Sequence, residues 1–206
     1  MGVAVQENDR FWRRLGWNIL AIDHRAHGES GGQATTGGHF ERHDVSQVIN
    51  QLRTQRPRET ETLVLFGVSM GSAVATHVAA MRDDLAGLIC ESFVGSFIFA
   101  SHAQTHLMGL PGGVTGQLSA HIAAWMTGAD FHNDTALHDI VKVKCPALLI
   151  LGTEDPFADQ AAVEKAVAGM SNVQLWRPHG VDHVRAMVNE YDEYRRRISA
   201  FLSSLA

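Results

Sequence analysis

The sequence predicts an α/β fold with a mostly parallel sheet flanked by helices. Short apolar runs of strand length alternate along the chain with longer segments whose apolar residues recur at helical spacing. Strands that alternate with helices form parallel sheets, because each helix carries the chain back to begin the next strand in the same direction. The length of 206 residues suits one domain with a complete hydrophobic core. We therefore predict a single domain over residues 1–206.

Five strands are predicted from apolar runs that end in polar or glycine-containing turns. They lie at 17–23, 63–66, 86–91, 147–152 and 173–176. Helices are predicted at 8–15, 39–55, 71–80, 158–169 and 184–204, where apolar or small residues fall on one face. The first helix has Asn8 or Asp9 as its candidate N-cap and places Phe11, Trp12 and Leu15 on its apolar face.

Residues 93–141 interrupt this alternation and are predicted to form a small cap, or lid, inserted into the domain. The segment contains no clear strand and one helical candidate near 117–126. An insertion of this length in a compact sheet usually has a function. Its larger apolar side chains either line an apolar pocket or form a small core within the cap: Phe97, Phe99, Met108, Leu110, Trp125 and Met126.

Composition excludes several classes of partner. The net charge is −5 and no basic run is present, so nucleic acid is not an expected partner. No apolar run reaches the roughly 18 residues of a membrane span. The histidines, cysteines and acidic residues show no metal-ligand spacing, so neither a metal nor a cofactor is predicted. We expect a cytoplasmic protein that acts on a small molecule.

The chain is organised around Gly67-Val68-Ser69-Met70-Gly71, which lies between a predicted buried strand and a predicted helix. This run fits G-x-S-x-G, in which a sharp turn exposes the serine hydroxyl above the carboxyl end of the sheet. We expect a Cβ at either flanking glycine to collide with main chain. The Met70 N–H, at the helix N-terminus, would face an oxyanion beside Ser69. The alternative is an ordinary N-cap serine.

A nucleophilic serine needs a base, and the base needs a group that orients it. The loop after 147–151 contains Glu154 and Asp155, and the loop after 173–176 contains His179 and His183. Both loops follow carboxyl ends of predicted parallel strands, where such sheets gather their site residues. We prefer Asp155 because its short side chain precedes a rigid proline. We prefer His183 because it lies at the tip of its loop.

These segments resemble the α/β-hydrolase superfamily, in particular its serine esterase, lipase and S9-peptidase-like members. Residues 23–30 are similar to the D-x-R-G-x-G-x-S turn of that family, with Ala26 in place of a glycine. The elbow, Gly152-x-x-Asp155 and Gly180-x-x-His183 follow in the family's order. The resemblance implies an α/β-hydrolase fold, a catalytic triad of Ser69, Asp155 and His183, and Met70 N–H as one oxyanion donor.

The sequence departs from this family at its start. The family has a central strand ending in a His-Gly oxyanion loop before the helix placed here at 8–15, and further strands before it. In the family's sheet that strand lies between those predicted here at 17–23 and 62–67. We therefore expect a chain truncated relative to a longer parent. Alternatively, the two flanking strands pair directly, or another chain supplies the strand, as a homo-oligomer or strand-completing partner.

The resemblance implies a serine hydrolase that cleaves a carboxylic ester or related acyl bond through an acyl-enzyme on Ser69. The same machinery would serve a peptidase, thioesterase, acyltransferase or cofactor-free perhydrolase, so these alternatives stay open. A further alternative is a catalytically impaired hydrolase-like fragment or binding module, because the second oxyanion donor of the family has no assigned source here.

Overall fold

The structure, a computed structural model, describes residues 10–205 and contains a four-stranded parallel sheet. The strands are β1 (Val64–Val68), β2 (Gly87–Glu91), β3 (Ala147–Ile150) and β4 (Val173–Trp176), and they lie side by side in the order β1-β2-β3-β4. Four of the five predicted strands are thereby confirmed. All neighbours are parallel, so every strand ends at the same edge of the sheet.

The prediction of a strand at 17–23 is wrong. These residues form no ladder with β1 or with any other part of the described chain. Ile19, Leu20 and Ile22 are 37%, 57% and 37% exposed, which is unusual for the interior of a parallel sheet. A strand needs a partner for its backbone N–H and C=O groups, and none of the described residues offers one here. Direct pairing of this segment with β1 is therefore also wrong.

Nine α-helices occur in the described range. They are α1 (10–14), α2 (Glu41–Gln55), α3 (Met70–Ala80), α4 (Phe97–Leu107), α5 (Gly112–Thr127), α6 (Ala136–Asp139), α7 (Gln160–Val167), α8 (Ala186–Asn189) and α9 (Tyr191–Ser203). Helix α1 places Phe11 and Trp12 in the core as predicted, whereas its candidate N-caps lie outside the described residues. The helix predicted at 184–204 is two helices, which meet at Glu190. None of the helices in this range has the length and hydrophobicity that crossing a membrane requires.

The core lies on both faces of the sheet. On one face, Leu88, Cys90 and Leu149 pack with side chains of α2, α3 and α7. On the other, Ile89, Leu148 and side chains of α1 and α9 form a second cluster. Successive strand residues point to opposite faces, so both faces being buried explains why the strands are continuous apolar runs. The rigid sheet thus presents one polar edge, where its strands end.

Helices α4, α5 and α6 all lie between β2 and β3, within the predicted insertion 93–141. Sequence analysis found only part of α5 and missed α4, whose residues include no charged side chain to mark a polar face. Phe97 lines a pocket, but Met108, Leu110, Trp125 and Met126 are exposed rather than packed in a cap core. The function of this insertion as a cap stays a prediction.

Candidate active site

Ser69 lies in the sharp turn between β1 and α3, with φ 53° and ψ −122°. This left-handed backbone is unusual for a residue other than glycine and requires support from its surroundings. A Cβ at Gly67 would lie 2.2 Å from the Gly71 carbonyl oxygen, so only glycine fits there. A Cβ at Gly71 would meet nothing within 4 Å, so the expectation that both flanking glycines avoid a collision is wrong for Gly71.

The structure brings Ser69, His183 and Asp155 into one hydrogen-bonded relay. Ser69 Oγ lies 2.8 Å from His183 Nε2, and His183 Nδ1 lies 2.9 and 2.8 Å from the two carboxylate oxygens of Asp155. Asp155 is 4% exposed, whereas the alternative residues Glu154 and His179 are exposed and outside the relay. A carboxylate at Nδ1 holds the proton there, which leaves the Nε2 lone pair facing the serine hydroxyl.

The loops that carry Asp155 and His183 approach each other very closely. A Cβ at Gly152 would lie 2.1 Å from the Val181 carbonyl oxygen, so this approach requires glycine. The same carbonyl accepts a 3.0 Å hydrogen bond from the Glu154 N–H. The Gly180 N–H donates to Thr153 Oγ1 at 2.9 Å. These contacts join the ends of β3 and β4 and fix the distance between acid and base.

Ser69 and His183 open into a pocket of about 350 Å³. One part of its wall is apolar and includes Phe97 and Phe131, whose rings stack with centroids 4.5 Å apart. Another part is polar and includes residues of the loop before α2 and of the segment before α6. A cavity of this size suits a small organic molecule.

Comparison with known proteins finds a family model and a relative that are similar to this chain. Residues 5–96 match the family model described as "Serine aminopeptidase, S33". The chain is 39% identical over 198 residues to the uncharacterized protein YqkD of Bacillus subtilis, covering 93% of this chain and 64% of that protein. Thus the chain spans under two thirds of the length of this relative.

Solved structures have the same fold. The esterase Pf2001 of Pyrococcus furiosus superposes with a TM-score of 0.81 at 24% identity, over 97% of this chain and 75% of that one. A monoacylglycerol lipase of Paleococcus ferrophilus superposes with a TM-score of 0.67 at 17% identity, over 97% of this chain and 88% of that one. The chain has the α/β-hydrolase fold.

Buried polar residues that sequence analysis did not identify support the turn at Ser69. Ser72 Oγ donates to the Ser69 carbonyl at 2.6 Å and accepts from the Val94 N–H at 3.1 Å. The Ser69 N–H donates to the Glu91 carbonyl at 3.0 Å. These bonds satisfy main-chain groups on both sides of the turn, so the strained Ser69 backbone is held from α3 and from β2.

A second support acts on the loop that carries His183. Ser92 directly follows β2, and its Oγ accepts a 2.8 Å hydrogen bond from the Val184 N–H. Next to it, the buried Glu91 accepts a hydrogen bond from Tyr194 Oη at 2.9 Å, and burial raises the pKa of this carboxyl. The sequence signal for these two residues is the polar pair Glu91-Ser92 at the end of an otherwise apolar strand. This signal does not indicate the role of Ser92, because its partner Val184 lies 92 residues further along the chain.

The turn at 23–30 is joined to α2 by side-chain hydrogen bonds. Ser30 Oγ donates to the Asp23 carbonyl at 2.7 Å, and Arg25 forms two hydrogen bonds to Asp44, at 2.6 and 2.7 Å. Ala26 has φ 58°, which accounts for the glycine that the related turn usually has at this position. Alanine in place of glycine at position 26 therefore costs about 1 kcal/mol of conformational free energy.

Glu41, the first residue of α2, anchors a loop that forms part of the pocket wall. Its buried carboxylate accepts hydrogen bonds from Thr35 Oγ1, from the N–H and Oγ1 of Thr36, and from the Gly38 N–H, at 2.5 to 3.0 Å. Burial alone would raise the pKa of Glu41, but the hydrogen bonds from Thr36 and Gly38 lower it to about 2. Thr36 and Gly37 line the pocket, so Glu41 holds this wall in place.

Replacing Glu41 by glutamine is expected to lower the free energy of unfolding by about 3 kcal/mol at pH 7. The pKa of Glu41 lies at about 2 in the folded protein against an ordinary 4.5, so its stabilisation is complete above pH 4.5. This stabilisation is lost as the pH falls through about 2, so the difference in free energy of unfolding between wild type and Glu41→Gln should shrink between pH 4.5 and about 2. Urea unfolding at a series of pH values measures this difference.

The matched control for this variant is Glu61→Gln, because Glu61 is exposed. It should change the free energy of unfolding by less than about 0.5 kcal/mol at every pH. Equal stability of Glu41→Gln and wild type at pH 7 would show that the four hydrogen bonds contribute no net stability.

Sequence analysis missed a cluster of titratable groups at the pocket wall, because its members are far apart in the chain. Ligand-type atoms of His77, Asp134 and Asp139 lie within 4.8 Å of one another. The carboxylates already have cationic partners, since Arg42 pairs with Asp134 and Lys142 Nζ lies 2.7 Å from Asp139. Two carboxylates and two cations balance, so the arrangement forms an ion-pair network without an additional cation.

Proposed function

We propose that the chain forms the catalytic part of a serine hydrolase that cleaves a small carboxylic ester. The observation that carries this proposal is the unbroken relay from Ser69 Oγ through His183 to Asp155, which ends at the pocket. Chance placement of a serine, a histidine and a buried carboxylate would not require a strained serine backbone and two close loop contacts. Two proteins of similar structure are an esterase and a monoacylglycerol lipase, which supports the same reaction class.

The relay assigns one chemical role to each side chain. His183 Nε2 accepts the hydroxyl proton as Ser69 Oγ attacks the ester carbonyl, and it then donates that proton to the leaving alcohol. Asp155 holds the imidazole in the required tautomer and stabilises its protonated form. Water activated by His183 hydrolyses the acyl-enzyme and releases the acid.

The tetrahedral intermediates need hydrogen-bond donors for their oxyanion. Met70 is the first residue of α3, where backbone N–H groups lack partners within the helix. In this proposal its N–H donates to the oxyanion beside Ser69, helped by the positive end of the helix dipole.

The pocket favours a small ester. A volume of about 350 Å³ accommodates a short or medium acyl chain, and Phe97, Phe131 and Phe157 provide apolar contacts for it. Peptidase and thioesterase reactions use the same relay, so the relay alone does not distinguish between their leaving groups. The apolar part of the pocket wall favours an ester. Direct comparison of ester, thioester and anilide substrates with one acyl group tests that choice.

A fluorophosphonate probe tests the proposed chemistry without assuming a natural substrate. Such probes phosphonylate activated serines, so the intact mass of the protein should increase by one adduct, and peptide mapping should place it on Ser69. Heat-denatured protein serves as the control and should remain unmodified. If the native protein stays unmodified, or if the adduct lies on another serine, the proposed function is wrong and a non-catalytic binding protein becomes the better interpretation.

A further inference from the structure

A second imidazole–carboxylate pair lines the same pocket as Ser69. His39 Nδ1 lies 2.5 Å from Asp134 Oδ2, and both residues belong to the polar part of the pocket wall. The side chain of His39 is 29% exposed and that of Asp134 is 19% exposed. His39 therefore reaches the open space of the pocket, with its carboxylate partner behind it.

The charge of Asp134 determines which ring nitrogen of His39 carries the proton. Burial acts to raise the pKa of Asp134, but hydrogen bonds from Arg42 and His39 outweigh burial and lower it. The carboxylate is thus ionised near neutral pH and accepts the Nδ1–H of His39. The other polar atom of the ring, Nε2, is left with a lone pair when the imidazole is neutral.

A nearby imidazole–carboxylate pair is much less exposed than His39. His77 Nδ1 lies 2.7 Å from Asp139 Oδ2, but His77 is only 2% exposed. Its ring packs against the backbone of Gly38, where a Cβ would lie 2.4 Å from the ring carbon Cδ2. His77 also belongs to the pocket wall, but its ring is almost fully covered, whereas the side chain of His39 is more open to a molecule in the pocket.

Electrostatic balance indicates what kind of group His39 would bind. Asp134 and Asp139 are paired with Arg42 and Lys142, so their formal charges cancel. Asp130 also lines the pocket, but it is exposed to solvent and accepts a hydrogen bond from Asn133. A neutral hydrogen-bonding group therefore suits the site better than an ion. A hydroxyl fits, because it can donate to the Nε2 lone pair. Beside the rings of Phe97 and Phe131 the wall is apolar, and a hydroxyl buried there without a partner would weaken binding.

We propose that His39 is a specificity-determining residue that hydrogen-bonds a substrate hydroxyl remote from the ester, so that hydroxylated esters are preferred. This inference rests on the proposed ester hydrolysis. A site that hydrogen-bonds a substrate hydroxyl discriminates against the analogue that lacks it, because its own polar group is then left unpaired. The contact is made in the bound substrate and in the transition state alike, so the preference should appear in KM rather than in kcat.

Matched ester pairs measure this preference on either side of the scissile bond. On the acyl side, p-nitrophenyl ω-hydroxyhexanoate is compared with p-nitrophenyl hexanoate. On the alcohol side, ω-hydroxyhexyl acetate is compared with hexyl acetate. For at least one pair, the wild-type protein should give a kcat/KM about tenfold higher for the hydroxylated ester, the size of one good hydrogen bond.

Two substitutions at His39 separate recognition from structural support. The amide of His39→Asn can occupy the position of Nδ1 and still donate to Asp134, but it leaves nothing at the position of Nε2. The longer His39→Gln can place its amide at the position of Nε2. We expect His39→Asn to reduce the hydroxyl preference to about onefold, and His39→Gln to keep part of it. His43→Asn is the matched control, since His43 is exposed on α2 and outside the pocket.

The outcomes distinguish failure of this inference from failure of the proposed function. Hydrolysis of both members of every pair at equal kcat/KM overturns the inference and leaves the serine hydrolase in place. A preference that His39→Asn retains and His39→Gln loses overturns it as well, because His39 would then act only by supporting Asp134. No hydrolysis of any ester overturns both.

Discussion

Replacing Ser69 by alanine is expected to lower kcat for ester hydrolysis by about 10⁶-fold. The variant loses the atom that attacks the carbonyl in the proposed mechanism, and His183 loses the proton that it would transfer. Alanine and serine both carry a Cβ, so the strain of the left-handed backbone at φ 53° is the same in both proteins. Rates with p-nitrophenyl butanoate, corrected for spontaneous hydrolysis, measure the loss. Circular dichroism should show an unchanged fold.

Ser171 provides a matched control for this substitution. It is exposed in the loop before β4, and Ser171→Ala should retain wild-type kcat and KM within about twofold. If Ser69→Ala kept a tenth or more of the wild-type rate while remaining folded, the acyl-enzyme on Ser69 would be excluded. Hydrolysis by water activated directly at His183 would then have to be considered.

The sheet illustrates what local sequence can predict. The runs that became β1 to β4 are apolar and bounded by turns, and each has a neighbouring strand, so local pattern and tertiary pairing agree. The segment 17–23 has the same local pattern but no partner among the described residues, and Ile19 and Leu20 remain exposed. Strand formation depends on a second segment of chain, which a local pattern does not contain.

The site shows the same division between local and long-range information. Ser69 could be located from the G-x-S-x-G pattern, in which position 67 has room only for glycine. The loops of Asp155 and His183 could be located because they follow strands that end in polar residues. Ser72 and Ser92 could not be located, because their hydrogen bonds join segments that approach only in the folded chain. The three residues of the relay were thus more predictable than the residues that support them.

The second large effect is expected at Asp155. In Asp155→Asn, kcat should fall by about 10⁴-fold with KM nearly unchanged. Asp155 Oδ1 accepts from the Phe157 N–H at 3.0 Å, so the amide oxygen of the asparagine should remain there. Its NH₂ group then faces His183 Nδ1 and donates to it. The imidazole proton moves to Nε2, which faces Ser69 and can no longer accept the hydroxyl proton.

Three further measurements test the role of Asp155. Glu154→Gln, at an exposed neighbour, should leave kcat within about twofold of wild type. Nitrogen NMR of His183 should show the proton at Nδ1 in the wild-type protein and at Nε2 in Asp155→Asn. Residues that act as one unit are not additive, so Ser69→Ala/Asp155→Asn should be no slower than Ser69→Ala. A tenfold further loss in the double variant would mean that Asp155 acts independently of the serine. A large loss of kcat in Glu154→Gln would mean that Glu154, and not Asp155, is the acid of the relay.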